Sequence, residues 1–199
     1  MAFLTMNRRC PRRRSMLRQT TAWLLWFAWL GAAVSGAAAP TTPSDEYKLK
    51  AVFLYNFAQF VEWPAPAFRE PTAPLIIGVL GDDPFGSYLD DLVRGEKIGD
   101  HPLLVHRYNH GEECSGCHIV FICRSEAREL EKILARLKGR SLLTVSDVDT
   151  FTRQGGMVRF VTENGKVRLR INVEAAKAGE LTISSKLLRP GTIITPGKD

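Results

Sequence analysis

Residues 140–172 constrain the fold more than any other part of the chain, because they contain three strand signals in a fixed order. An apolar run, SLLTV, predicts a buried strand, and the polar segment SDVDTFTRQGG follows it. Two alternating runs, MVRFVT and VRLRIN, then flank Asn164-Gly165, a dipeptide typical of two-residue hairpin turns. The stretch therefore predicts an antiparallel hairpin attached to a buried strand.

The register of this hairpin follows if its turn occupies residues 163–166. One face then pairs apolar positions across the strands: Val158 with Ile171, Phe160 with Leu169, and Thr162 with Val167. On the other face Arg159 lies opposite Arg170, and Arg168 lies opposite Val161. Like charges directly opposite each other destabilise a strand pair, so this face requires acids or an anion above it.

Two interpretations of this arginine face, formed by Arg159, Arg168 and Arg170, remain open. The arginines either form ion pairs with a covering helix or with Asp147 and Asp149, or they form a docking patch for an acidic partner surface or ligand. The second interpretation makes all three arginines candidate partner-binding residues.

A regular alternation of strands and helices precedes the hairpin. Apolar runs predict strands, the first covered on both faces, at residues 75–80, 103–105, 118–123 and 142–145. Helices are predicted at residues 85–94 and 126–138, the second capped by Ser125 and ended by Gly139. Short loops between alternating elements imply parallel strands with right-handed crossovers. The predicted fold class is α/β: a mostly parallel sheet of order about 2-1-3-4 flanked by helices, then the C-terminal antiparallel hairpin and a final helix.

The first predicted helix, residues 47–62, is apolar over an unusually wide arc. Its polar residues occupy one sector of about 120°, and aromatic side chains fill much of the remaining surface. Burial between the sheet and a neighbouring element explains such a helix. Alternatively, part of the arc contacts a second subunit or a partner. This alternative gives three candidate partner-binding residues: Phe53, Tyr55 and Phe57.

Capping residues indicate where the first and last helices begin. Ser44 or Asp45 can cap the first helix. Asn172 can cap a last helix over residues 173–188, which Pro190-Gly191 closes.

The formal charge of +6 at pH 7 belongs to an export signal. Residues 1–37 hold six arginines and no acid, so the rest of the chain has 21 basic residues against 21 acidic ones. Binding to nucleic acid is therefore not expected. The same 37 residues have the three parts of a secretory signal: a basic region to Arg18, an apolar run at 21–34, and a small-residue end before Ala38.

Cleavage between Ala37 and Ala38 is the expected fate of this segment. A twin-arginine signal around Arg13-Arg14 and an uncleaved membrane anchor are the alternatives, although the apolar run is short for a span. The protein is accordingly expected in the periplasm. The expected organisation is a cleaved signal, a flexible lead-in, one α/β domain and a tail, at residues 1–37, 38–44, 45–194 and 195–199.

Three cysteines remain after the signal is removed: Cys114, Cys117 and Cys123. An odd number leaves one thiol free or in an intermolecular bond. Six residues of strand, about 20 Å, separate Cys117 from Cys123, which is beyond disulfide reach. A Cys114–Cys117 bond, structural or redox-labile, is expected, with Cys123 as the unpaired thiol. The CxxC pair precedes a strand and lacks histidines at zinc-ligand spacing, so neither thioredoxin-type activity nor a metal site is expected.

Charged residues follow the first and third predicted strands. Open parallel sheets bind ligands beyond the carboxyl ends of their strands, where strand order reverses. Asp82, Asp83 and Arg124 fall at that edge and are candidate ligand-binding residues, although GDDPFG is also an ordinary loop and helix start. The sequence contains no GxSxG, HExxH or Walker motif and no paired-carboxylate spacing, so no catalytic residue or cofactor is assigned.

An ordered set of motifs resembles the YfiR family of periplasmic regulators over residues 47–193. The motifs are KAVFLYNFAQFVEWP, IIGVLGDDPFG, CHIVFIC followed by SE, LLTVSDVDTFTRQGGMVRF, and LRIN with LTISSKLL. No one of them is decisive, but the ordered set is specific.

The resemblance implies a non-enzymatic repressor that binds the periplasmic sensor region of an inner-membrane, GGDEF-type diguanylate cyclase. Envelope or redox stress, or capture by an outer-membrane lipoprotein, would release the cyclase and so raise cyclic-di-GMP and biofilm formation. It also implies a homodimer, since well-known members of the family are dimers stabilised by disulfides. The alternative function is a periplasmic small-molecule-binding module that uses Asp82, Asp83 and Arg124.

Overall fold

The fold was obtained as a computed structural model that describes residues 44–109, 114, 116–188 and 191–194. These residues belong to one compact unit, 40–199. The predicted export signal at 1–37, most of the lead-in at 38–44, and the tail at 195–199 lie outside the described residues.

A mixed sheet of eight strands forms the centre of this unit. Its strands, numbered along the chain, are β2 (Leu75–Leu80), β3 (Lys97–Ile98), β4 (His101–Tyr108), β5 (Ile119–Ile122), β6 (Leu143–Ser146), β7 (Val158–Glu163), β8 (Lys166–Asn172) and β10 (Gly191–Ile194). Across the sheet their order is β10-β8-β7-β6-β5-β2-β4-β3. A separate antiparallel pair joins β1 (Val61–Glu62) to β9 (Thr182–Ile183).

The order 2-1-3-4 predicted for the four parallel strands is confirmed. In the structure these four strands are β2, β4, β5 and β6, and they lie side by side in the order β4, β2, β5, β6, with all three pairings parallel. The full sheet is wider than predicted, because β7 adds to β6 in parallel and β10 adds to β8 in parallel. A short antiparallel strand, β3, also lies beside β4.

The predicted hairpin forms with the predicted register. Strands β7 and β8 pair Val158 with Ile171 at one end and Glu163 with Lys166 at the other, and the register between these pairs is uninterrupted. The two turn residues, Asn164 and Gly165, both have positive φ, at 51° and 71°. This is the combination that a type I′ turn requires.

Five helices accompany the sheets in the described part of the chain: α1 (Asp45–Phe60), α2 (Ser87–Val93), α3 (Leu130–Leu137), α4 (Val173–Ala178) and α5 (Ser185–Leu188). Ser44 caps α1, since its Oγ accepts the amide of Tyr47 at 3.5 Å. The helix ends at Phe60, two residues earlier than predicted, because Val61 turns extended to pair with β9.

The predicted role of Ser125 as a helix cap is wrong. Residues Arg124–Glu126 form a 3₁₀ turn, and α3 begins only at Leu130. The hydroxyl of Ser125 instead accepts the backbone N–H of Asp82 at 3.0 Å, which joins the loop after β5 to the loop after β2.

The final helix begins after Asn172 as predicted, with Asn172 Oδ1 accepting the amide of Ala175 at 3.0 Å. It is shorter than the predicted 173–188, because α4 ends at Ala178 and the chain continues as β9 and α5. The backbone N–H of Gly179 donates hydrogen bonds to carbonyl groups in the last turn of α4. The next residue, Glu180, has a left-handed φ of 59°, which is incompatible with a continuing right-handed helix.

Two apolar clusters cover the two faces of the sheet. One packs α1 and α2 against the sheet around Phe57, Phe121 and Phe160. The other packs the apolar stripe of α3 against Val120, Ile122 and their neighbours. This double cover agrees with the continuous apolar runs of the central strands.

Candidate functional site

The carboxyl end of β6 carries a buried carboxylate. The side chains of Asp147 and of Lys50, which reaches it from α1, are each 1% exposed, and Lys50 Nζ lies 2.6 Å from Asp147 Oδ2. Tyr47 donates its hydroxyl to the same oxygen at 2.9 Å. On the solvent side, Glu46 lies 2.6 Å from Lys50 Nζ. We call these four residues the carboxyl-end cluster. They attach the first turns of α1 to the carboxyl end of the central strand β6.

Neighbouring charges shift the pKa values of this cluster. Burial alone would raise the pKa of Asp147, but the hydrogen bond and charge of Lys50, with the charge of Arg124, hold that pKa below its ordinary value. The hydrogen bond from Lys50 also lowers the pKa of Glu46. Burial and the nearby Asp147 raise the pKa of Tyr47. At neutral pH the cluster therefore contains two ionised carboxylates and a protonated phenol.

The predicted ligand residues Asp82 and Asp83 lie, as expected, in the loop after the carboxyl end of β2. Asp83 accepts the backbone N–H of Phe85 at 2.7 Å, and its Oδ2 lies 2.7 Å from Arg107 Nε on β4. This contact fastens the loop after β2 to the neighbouring strand. The carboxylate of Asp83 is thus occupied by groups of the protein itself.

Arg124 lines a different cleft from these two acids. Its Nε lies 3.2 Å from Asp147 Oδ1, and its Nη2 donates to the Asp147 carbonyl oxygen at 3.3 Å. A cleft of about 370 Å³ beside it is lined by Arg124, Ala127 and residues 147–150. Arg124 and the pair Asp82 and Asp83 therefore do not share this cleft, as a common ligand site would require.

The three candidate partner-binding residues of α1 differ in accessibility. Phe57 is completely buried and stacks on Phe160, with ring centroids 5.9 Å apart. Phe53 is partly buried beside both rings. Tyr55 is also partly buried and donates its hydroxyl to Glu96 at 2.9 Å. A fully buried ring presents no surface to a partner, so a docking surface on α1 excludes Phe57.

Sequence reasoning missed the most exposed apolar residue of α1. Leu49 is 44% exposed, and Val52, Phe53 and Phe60 lie partly exposed on the same side of the helix. We call these four residues the outer face of α1. Phe53 was already a candidate from the sequence, and the helical spacing of three and four residues could have added the aliphatic Leu49 and Val52.

The arginine face has acidic partners. Arg159 is buried, and its Nη2 lies 2.6 Å from Asp149 Oδ1, which is one of the two partners predicted for an ion pair. Arg168 and Arg170 each lie 3.5 Å from the carboxylate of Glu163 at the hairpin turn. Asp147, the other predicted partner, instead belongs to the carboxyl-end cluster. The like charges across the hairpin are therefore compensated within the protein.

The cysteines Cys114 and Cys117 are adjacent, buried, free thiols in this structure. The hydrogen bond between them raises the pKa of Cys114 and lowers that of Cys117, whose Sγ also lies 3.1 Å from Tyr108 Oη. Cys123 is buried in the core, and burial raises its pKa. The predicted Cys114–Cys117 bond thus joins residues that are neighbours, and it remains a prediction.

Two further properties concern only the described residues. Among them, no three side chains of His, Cys, Asp or Glu are grouped closely enough to hold a metal ion. The helices seen in these ranges are all too short or too polar to cross a bilayer.

The fold defines a class: an α/β domain with a largely parallel sheet, extended by an antiparallel hairpin, and covered by helices. Within that class, the chain belongs to the YfiR/HmsC-like family, whose family model matches residues 47–192. The family is periplasmic and regulatory rather than catalytic. A search of curated proteins finds no match to the chain.

Proposed function

We propose that this protein is exported to the periplasm, where it binds the sensor region of an inner-membrane, GGDEF-type diguanylate cyclase and holds it inactive. The protein itself is not an enzyme in this proposal. Its release from the cyclase, through stress or capture by an outer-membrane lipoprotein, raises cyclic-di-GMP and biofilm formation. Membership in a family of periplasmic regulators supports this proposal.

The single observation that carries the proposal is the outer face of α1. Leu49 has 44% of its surface exposed, and the partly exposed Val52, Phe53 and Phe60 lie on the same side of the helix, with the polar Asn56 among them. An apolar stripe at helical spacing on a surface helix is typical of a protein–protein contact. A partner that packs on it would remove these side chains from water.

The contacts beneath α1 prepare this surface for binding. The ion pair of Lys50 with Asp147 fixes the first turns of the helix, and the hydrogen bond of Tyr55 to Glu96 fixes its middle. A surface held in place before binding loses less conformational entropy when a partner docks. The outer face of α1 is therefore the better candidate for the partner surface.

The arginine face is a weaker second candidate. Arg168 is 54% exposed and remains accessible to an acidic surface, although Glu163 lies 3.5 Å away. Arg170 shares that glutamate, and Arg159 is buried against Asp149. Because Asp149 and Glu163 already compensate two of these three charges, we assign the arginines an auxiliary role in docking.

Co-purification from envelope extracts tests the proposal. The tagged protein should retain an inner-membrane protein with a periplasmic sensor region and a GGDEF-type domain, identified by mass spectrometry. The Leu49→Glu variant should lose it, because a charge placed in an apolar contact must be desolvated. A matched control is Leu104→Glu, since Leu104 is 42% exposed on β4 and is not part of α1.

Two outcomes would reject the proposal. The first is that the tagged parent protein retains no membrane protein. The second is that Leu49→Glu and Leu104→Glu retain the partner equally well, which would exclude the outer face of α1 from the contact.

The proposal includes a homodimer and a Cys114–Cys117 disulfide in the oxidised protein. Light scattering on the purified protein measures its mass, and peptide mapping without reductant identifies the cysteine linkage. A monomer, or unlinked Cys114 and Cys117 after oxidation, would contradict these parts alone. We do not propose a small-molecule site at Asp82, Asp83 and Arg124, because Asp83 pairs with Arg107 and Arg124 with Asp147.

A further inference from the structure

A groove of about 420 Å³ lies between the last turns of α3, the segment before β7, and α4. Its size falls within the range of small-molecule sites in proteins. It is separate from the carboxyl-end cluster and from the outer face of α1, none of whose residues lines it. No function proposed above uses this groove.

The walls of the groove are largely apolar. Its apolar lining consists of Leu134, Ala135, Leu137, Met157, Ala175 and Ala178. Two buried polar residues at its base, Thr144 and Asn172, use their side-chain oxygens internally, to accept the amides of Met157 at 3.1 Å and Ala175 at 3.0 Å. The groove therefore offers apolar contact rather than a row of free acceptors.

The rim of the groove carries unmatched charge. Lys138 and Arg153 are exposed and line the groove, and so does Glu131. None of the three side chains has an ion pair or hydrogen bond in the described part of the chain, whereas nearby Lys132 pairs with Glu129 and Lys177 with Glu174. The rim thus presents two unpaired cations and one unpaired anion next to apolar walls.

We propose that this groove binds a small amphiphilic monoanion, an alkyl or aryl carboxylate. The apolar tail lies against Leu134, Met157 and the two alanines of α4, where its burial provides most of the binding free energy. The carboxylate lies between Lys138 and Arg153, which can donate charge-assisted hydrogen bonds to it. The carbonyl groups at the end of α3 repel an anion, so the head group lies outward with the two side chains.

Charge decides between this ligand class and other amphiphiles. A neutral alcohol of the same chain length fills the walls equally well but leaves both cations unpaired. A cationic amphiphile meets Lys138 and Arg153 as like charges and finds only Glu131 as a partner. This inference goes beyond the proposed regulatory function and does not depend on the identity of the membrane partner.

The test is calorimetric titration of the protein purified from the periplasm of cells that produce the full chain. The probes are decanoate, 1-decanol and decyltrimethylammonium, each below the concentration at which it forms micelles or phase-separates. Decanoate is expected to bind with affinity at least about tenfold tighter than either other probe, because neither of them can form the charge-assisted contacts with Lys138 and Arg153. Absence of decanoate binding, or equal affinity for all three probes, overturns the proposal.

Two double variants locate the site. Ala135→Leu with Ala178→Leu fills the groove while keeping good helix formers, and Lys138→Glu with Arg153→Glu reverses its cations. Each should weaken decanoate binding about tenfold or more. The control, Arg128→Glu with Lys132→Glu, makes the same charge change near α3 at side chains that do not line the groove.

Circular dichroism and thermal melting establish that each variant is folded before titration. Unchanged decanoate affinity in both double variants would place the binding elsewhere and overturn the proposal. A loss in the control as large as that in Lys138→Glu with Arg153→Glu would show a general charge effect, and would overturn it as well. Neither outcome bears on co-purification of a membrane partner, so the two proposals fail separately.

Discussion

Replacing Lys50 by methionine should destabilise the protein strongly, because it leaves the carboxylate of Asp147 buried without its nearest cation. Removing one partner of a buried ion pair costs about 3–5 kcal/mol. Tyr47 and Arg124 remain at 2.9 Å and 3.2 Å from the carboxylate oxygens. Because these two contacts persist, we expect the lower end of the range, about 3 kcal/mol, in the free energy of unfolding.

The loss should depend on pH in a definite direction. In the parent protein the pKa of Asp147 is lowered, so its ionisation stabilises the fold above the unfolded pKa, and this contribution disappears as pH falls through the folded pKa. In Lys50→Met the burial that raises this pKa remains and the hydrogen bond and charge of Lys50 are lost, so we expect the pKa of Asp147 to rise above its unfolded value. The folded variant then binds a proton more readily than the unfolded chain, so the deficit should be smaller at about pH 4.5 than at about pH 7.

Urea unfolding followed by circular dichroism measures both effects. The double variant Lys50→Met with Asp147→Asn removes the buried charge entirely and should recover about half of the lost stability or more. Lys48→Met is the matched control on the same helix, since Lys48 pairs with the exposed Asp45, and it should leave the midpoint unchanged. A loss below about 1 kcal/mol, or a loss equal at both pH values, would mean that Lys50 does not stabilise a buried, ionised Asp147.

Three further substitutions test local features by the same unfolding measurement. Gly156→Ala would place Cβ 2.3 Å from the ring of Phe151 and should cost about 1–3 kcal/mol through overpacking, whereas no change would mean that the ring moves freely. Asn172→Ala removes the cap on the amide of Ala175 and should cost about 1 kcal/mol, an effect that Asn172→Ser should largely avoid. Gly165→Ala places a side chain at a φ of 71° and should cost about 1–2 kcal/mol, so a neutral result would contradict the assigned turn.

The hairpin was predictable because its information is local. Asn164-Gly165 specifies the turn, and the period of two then assigns each side chain to a face, so the pairing of Arg159 with Arg170 followed from sequence alone. The partners of those arginines were only partly predictable. Asp149 lies ten residues away on a loop that the sequence does not orient, and the role of Glu163 in the turn was not considered.

The carboxyl-end cluster could not be derived in the same way. Lys50 and Asp147 lie 97 positions apart, and no periodic signal relates them. The available hint was a lysine in the apolar arc of α1, since a buried lysine requires an acid.

The end of α4 also had a signal in the sequence, Gly179. A side chain at this position would place its Cβ 2.9 Å from the carbonyl oxygen of Arg140. Helical periodicity continued past that glycine, and the prediction followed the periodicity.

We propose that this protein restrains a membrane diguanylate cyclase through the outer face of α1. Intracellular cyclic-di-GMP, measured by mass spectrometry in cells that lack the gene and in cells complemented with each variant, tests it most directly. Loss of the gene should raise cyclic-di-GMP, and the parent protein and Leu104→Glu should lower it again, whereas Leu49→Glu, present in equal amount, should not. A level that is unchanged by loss of the gene would rule out repression of a cyclase, and a level restored equally by Leu49→Glu would rule out the outer face of α1 as the contact.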